Sequence, residues 1–200
     1  MPQRAATRTP PRVLAISLPN LLTYGRIAAV PAMVGCLLVL EGDWQNWSAF
    51  AIFVVASLTD WLDGYLARTW ELQSSLGRML DPIADKLLVA AALLMLVYDH
   101  TIHGVSVVAA LIILCREILV SGLREFLAEL QVKIHVNWLA KWKTAAQMVA
   151  LAVLLTGASG ARIIPHLMTI GLVLLWIAAL LTLWTGYDYL KAAVTRAMEG

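Results

Sequence analysis

An all-α integral membrane protein of about six transmembrane helices is what this sequence predicts, on three observations. Of its 200 residues 60% are hydrophobic and only 14% charged, where a soluble domain carries roughly a quarter charged. Mean hydropathy is +0.77. The apolar residues gather in stretches of about 20, the length that crosses a bilayer as a helix. So few charges cannot cover a water-facing surface, which makes lipid the expected solvent. Lipid offers no partner to a backbone amide, so each stretch must satisfy its own hydrogen bonds. The net charge of +2 is too small to argue for nucleic acid, and no such partner is expected.

The elements follow in order. Residues 1–17 read as a basic leader with Arg4, Arg8 and Arg12. Its start is expected to lack regular structure, and Pro11–Ser17 to form a short helix in the membrane interface with Val13, Leu14 and Ile16 toward lipid. No small-residue cleavage site follows the first apolar run, so Leu21–Leu40 is expected to be a retained span. Further spans are expected at Trp47–Arg68, Gly77–Tyr98, Val105–Ala128, Val136–Thr156 and Pro165–Tyr189, so that residues 18–200 form one six-helix membrane domain. Turn signals separate them at Glu41–Asp43, Gln73–Ser75, Asp99–His100 and Gly157–Gly160. Basic residues set the orientation. The leader, Arg68 and Arg78, the group Arg124, Lys133, Lys141 and Lys143, and the tail with Lys191 and Arg196 fall on one side, against Arg162 on the other. Both termini are therefore expected in the cytoplasm. Trp44, Trp47 and Trp70 lie near span ends, where an aromatic belt is expected. Cys36 and Cys115 read as small core hydrophobes, and His100, His103, His135 and His166 as surface residues in connections.

Chemistry concentrates in the second and third spans. Asp60, Asp63, Gly64 and Ala67 fall at i, i+3, i+4 and i+7, one stripe of a helix. Gly77, Asp81, Ala84 and Asp85 fall at i, i+4, i+7 and i+8, again one stripe. The connection between the spans is short, so the two pairs of carboxylates are expected side by side at the cytoplasmic end. One central Asp in a span costs about 3 kcal/mol even on insertion scales. Four together would repel and take up protons unless divalent cations hold them ionised. Oxygen-only ligands suit Mg²⁺ or Mn²⁺, and two such ions can clamp both oxygens of a displacement at phosphorus. Gly64 and Gly77 leave room for a phosphate or a base, and Arg68 sits where it can grip a phosphate. A single Asp pair would read equally well as a proton relay or a buried ion pair. Four Asp with interleaved Gly and Arg do not.

Asp60, Asp63, Gly64, Ala67, Arg68, Gly77, Asp81 and Asp85 occupy every fixed position of the CDP-alcohol phosphotransferase signature, and the chain resembles that family. The resemblance implies six membrane helices, a homodimer, and displacement of CMP from a CDP-linked alcohol by a second alcohol. It implies that Asp60, Asp63, Asp81 and Asp85 hold two Mg²⁺ or Mn²⁺ ions and that Asp85 is the general base. Gly64, Arg68 and Ser74 would contact the cytidine diphosphate. A second tier of motifs looks like the branch of the family that works on CDP-diacylglycerol and glycerol 3-phosphate in the bacterial inner membrane. These are Pro19–Arg26, with Asn20 and Thr23 toward the CDP group, then Asp81–Lys86, Arg116–Glu125 and Lys141–Met148.

The residues support that second tier as an anion site. Glu117, Ser121 and Arg124 lie at i, i+4 and i+7, and Lys143 and Gln147 at i and i+4. Arg116, Arg124, Lys141 and Lys143 are the expected holders of an acceptor phosphate. The plainer reading, charge that only sets topology, covers most of Lys133 and part of Lys141, and covers Arg116 least, since it lies deeper in its span. Other acceptors of the family remain open at this point, as does a cation transporter. Against the transporter stand the aspartate signature and the absence of repeated halves.

Overall fold

The computed structural model describes residues 18–70, 75–129 and 139–199. Side chains are described throughout except at 18–20, 60–70, 75–78, 128–129, 139–141, 188, 192–193 and 195–199. The expected leader helix, Ser74 and His135 thus lie outside the described residues.

Every described element is helical: α1 Leu18–Val39, α2 Asp43–Trp70, α3 Ser75–Tyr98, α4 Ser106–Glu129, α5 Leu139–Leu155, α6 Gly157–Ile163 and α7 Leu167–Glu199. The six expected spans correspond to the helices α1–α5 and α7, with ends shifted by a few residues except that α7 runs ten residues past the expected Tyr189. Helix α6 is the addition, lying where a turn was expected. Gly157 takes φ +51, a conformation open to glycine, and α6 leaves α5 at 89°. A carbon on Gly157 would press to 2.7 Å from the Asn46 amide, so glycine also permits the close approach of α2.

The spans are not uniform. Among the described residues α1, α4 and α7 are long and apolar enough to cross a membrane alone, and α5 with α6 makes a fourth as a bent pair. Helices α2 and α3 have the length but carry the aspartates. At 28 residues, α2 is about 42 Å long, against a hydrocarbon core of about 30 Å. Its carboxyl end, with Asp60, Asp63 and Arg68, therefore extends toward the far membrane surface.

Contacts mark two ends of the bundle. At one, Thr23 near the start of α1 donates to Asp81 near the start of α3, and Arg116 of α4 reaches Thr185 of α7. At the other, Ser159 of α6 donates to Asp43 of α2 at 2.6 Å, Asn46 donates to Ser159, and Arg162 pairs with Asp43 at 3.0 Å. Helix α1 packs on α2 and α3, and α7 on α4 and α5, whereas α2 and α3 touch sparingly among the described residues. The core between them is apolar and often small: Met33, Phe53, Ala56, Leu88, Ala92, Leu96, Ile113, Leu151, Leu175 and Ala178 are buried. Large apolar side chains also cover the outside, with Leu94 70% and Trp184 69% exposed, as a lipid-facing surface requires. Cys36 is half-buried, but Cys115 is exposed. It lies on a groove between α4 and α7, not in the core as expected, because its helix face turns to lipid. Trp44 is exposed, as a belt residue should be, and His100, His103 and His166 are exposed in connections.

Candidate functional site

The site is built from the first end. Asp81 and Asp85 lie one turn apart on α3, both half-buried. The Thr23 hydroxyl, itself buried, donates to Asp81. Thr23, expected toward the CDP group, here also meets one of the expected metal-binding carboxylates. The α2 backbone places positions 60 and 63 one turn apart in the later part of that helix. The side chains of Asp60, Asp63, Arg68, Asn20 and Lys141, and the surroundings of Gly64 and Gly77, lie outside the described residues. Asp81 and Asp85 alone make no cluster of three ligands among the described residues. The two described carboxylates on α3 are oxygen donors of the kind that hard divalent cations take.

Beside Asp85 opens a cavity of about 170 Å³ lined by Asp85, Lys86, Arg116, Glu117, Arg124 and Lys143, with Ser121 and Thr144. The structure thus brings Arg116, Arg124 and Lys143 of the expected anion site to one place, against Asp85. Its described charges are four cations against two carboxylates. Arg116 and Lys143 are 8% and 5% exposed, far too buried for residues that only set topology. Glu117 accepts from both: Arg116 Nη1 donates to its Oε1 at 3.0 Å, and Lys143 Nζ donates to the same oxygen. The second Arg116 nitrogen, Nη2, donates to Thr185 Oγ1 at 3.1 Å. Lys86 donates to Ser121. Arg124 is exposed, and its guanidinium lies 5.6 Å from the centre of the Tyr189 ring, a cation–π distance.

Sequence reasoning left several of these residues without a role. Glu117 was read only as part of a motif. The signal was its position beside a deep arginine, since a buried cation needs a counter-charge. Arg26, 1% exposed on α1 and one turn past Thr23, was likewise detectable as a cation inside an apolar span. Thr185 and Tyr189 gave no signal, because their pairing with α4 depends on how α7 packs.

A family model for CDP-alcohol phosphatidyltransferase matches residues 16–184. The chain belongs to the CDP-alcohol phosphatidyltransferase family. Its members generally use divalent metal ions, in keeping with the aspartates. The chain is 48% identical over 176 residues to a Rickettsia bellii protein named CDP-diacylglycerol–glycerol-3-phosphate 3-phosphatidyltransferase, covering 88% of this chain and 94% of that protein. Proteins of the same name from Shigella flexneri serotype 5b and Cereibacter sphaeroides are 41% and 38% identical, covering 90% and 89% of this chain and 96% of each relative. Membership of this family accounts for the aspartate signature, and the relatives named here are bacterial.

Proposed function

We propose that the chain transfers the phosphatidyl group of CDP-diacylglycerol to the 1-hydroxyl of glycerol 3-phosphate, releasing CMP and forming phosphatidylglycerophosphate. The observation that carries this reading is the cavity in which Asp85 shares a small space with Arg116, Arg124 and Lys143. Its excess of positive charge complements a phosphate dianion, and its carboxylate is placed to take a proton from the acceptor.

In this reading Asn20, Thr23, Gly64, Arg68, Ser74 and Gly77 receive the CDP group of the donor. Asp60, Asp63, Asp81 and Asp85 hold two Mg²⁺ or Mn²⁺ ions. When bound, these ions neutralise the diphosphate and stabilise charge that grows at phosphorus. Arg116, Arg124, Lys141 and Lys143 hold the acceptor's phosphate, which leaves its 1-hydroxyl toward Asp85. Asp85 takes the hydroxyl proton. The oxygen then attacks the phosphorus that carries diacylglycerol. The bond from that phosphorus to the CMP oxygen breaks, and CMP leaves with the electron pair. Asp85 returns its proton to water. Thr23 keeps the Asp81 carboxylate oriented throughout. The protein acts as a homodimer in the bacterial cytoplasmic membrane with this site on the cytoplasmic side. The charge distribution supports the orientation, and family resemblance supports the dimer.

A panel of acceptors tests the assignment, using purified protein, CDP-diacylglycerol and Mg²⁺, with CMP release and lipid product measured. Glycerol 3-phosphate should be used well. Glycerol, serine, inositol phosphate and phosphatidylglycerol should each be at least about tenfold poorer, the effect of losing one charge-assisted contact or of misplacing the hydroxyl. Preference for any other acceptor would overturn the assignment and leave the family membership intact.

A further inference from the structure

Helix α7 contributes nothing to the chemistry above, yet one stripe of it holds both described arginines of the cavity. Thr185, buried, gives its hydroxyl hydrogen to backbone carbonyls of its own helix, Leu181 at 3.0 Å and Thr182 at 3.2 Å. Its oxygen is thereby left to accept from Arg116 Nη2. At the next residue, Gly186, an added carbon would come to 3.3 Å from Arg116 Cγ and 3.8 Å from Nε. The bare backbone at 186 therefore makes the slot in which the arginine stem lies. One turn after Thr185, the buried ring of Tyr189 carries the Arg124 guanidinium. Positions 185 and 189 are i and i+4 on one helical face. Two guanidinium groups on α4 are therefore placed by a single face of α7. With Nη1 on Glu117 and Nη2 on Thr185, the Arg116 fork is fixed in its plane, and its buried Nε has no partner among the described residues. The stripe begins just past residues 16–184, which the family model matches.

We infer that Thr185, Gly186 and Tyr189 are positioning residues that set affinity for the acceptor's phosphate by fixing Arg116 and Arg124 before the acceptor arrives. The inference rests on the reading that those arginines receive that phosphate. An arginine free to change rotamer must be ordered on binding, and ordering it beforehand removes that cost from the binding step. A planar fork held at two points also presents its remaining edge in one direction. The rival role, in which the stripe only fastens α7 to α4, would affect both substrates and the stability of the whole chain alike.

The test is steady-state kinetics on the full chain in detergent with CDP-diacylglycerol, Mg²⁺ and varied glycerol 3-phosphate, together with melting temperature. Thr185→Val keeps the shape and removes the acceptor oxygen. It should raise KM for glycerol 3-phosphate about tenfold, the loss of one hydrogen bond to a charged group. KM for CDP-diacylglycerol should not move, and Thr185→Ser should restore the wild-type value. Tyr189→Leu should raise the acceptor KM about threefold, and Tyr189→Phe, which keeps the ring, should not. Arg116→Ala and Arg124→Ala are the reference variants. Should they raise the acceptor KM while Thr185→Val and Tyr189→Leu do not, the positioning role fails and the pocket stands. Unchanged acceptor KM in the arginine variants would remove the pocket reading and this inference with it. Equal rises in both substrates' KM with a lowered melting temperature would show fastening alone and overturn the inference.

Discussion

At the scale of single residues, the charged side chains could be read before any fold was known, because putting charge into an apolar span is costly without a purpose. Asp81, Asp85 and Arg116 were found that way, and the structure places Asp85 and Arg116 in one cavity. What stayed hidden were contacts between residues far apart in sequence, such as Lys143 with Glu117 or Arg116 with Thr185, which exist only once helices have packed. The proposed roles give a direct expectation. Asp85→Asn should lower kcat by about 10²- to 10⁴-fold, the range for loss of a general base. Asp81→Asn should also remove most activity while each variant still inserts. Chelating divalent cations should abolish turnover of the unaltered protein, and adding Mg²⁺ back should restore it. Near-normal turnover in both variants with excess Mg²⁺, measured by CMP release, would end the metal-site reading.

At the scale of elements, helix number and order were legible from apolar stretches and the turn residues between them. The elbow at Gly157 was legible only as a turn, since a glycine cluster does not say whether a short helix follows. Where helices come close was not legible either. On α7, a carbon added at Gly171 would lie 2.8 Å from Leu154 Cδ2 and 2.9 Å from its Cγ on α5, too near without a shift. Gly171→Ala should therefore destabilise the protein by roughly 1–3 kcal/mol, the usual cost of overpacking. Gly35 on α1 has nothing within 4 Å of that position. Gly35→Ala should be neutral or stabilising by up to about 1 kcal/mol, the helix preference for alanine. Thermal unfolding of the two variants in one detergent checks the contrast, and a Gly171→Ala protein as stable as Gly35→Ala would contradict the α5–α7 packing.

For the whole molecule, the described cavity and the Thr23–Asp81 contact gather at one end of the bundle from the starts of α1, α3 and α5 and the later parts of α4 and α7. That alternation is what repeated membrane crossings produce, and the orientation proposed from the arginine and lysine distribution would put this end in the cytoplasm. With Cys36 and Cys115 replaced, a cysteine at position 44 should react with an impermeant maleimide added from outside and not from the cytoplasm. The reverse labelling would invert the orientation. Composition made the membrane class plain, and the aspartates expected in the second and third spans explain why α2 and α3 fall short of the apolarity of α1, α4 and α7. Cys115 has a practical consequence of its own. It is an exposed native thiol on the α4–α7 groove, next in sequence to Arg116, which also lines the cavity beside Asp85. A bilayer-soluble fluorophore attached there would sit in the α4–α7 groove, which Arg116 also lines, and so close to the proposed acceptor site. Acceptor arrival could then be followed by emission in real time, with every residue of the cavity left native and Cys36 the single competing sulfhydryl to remove.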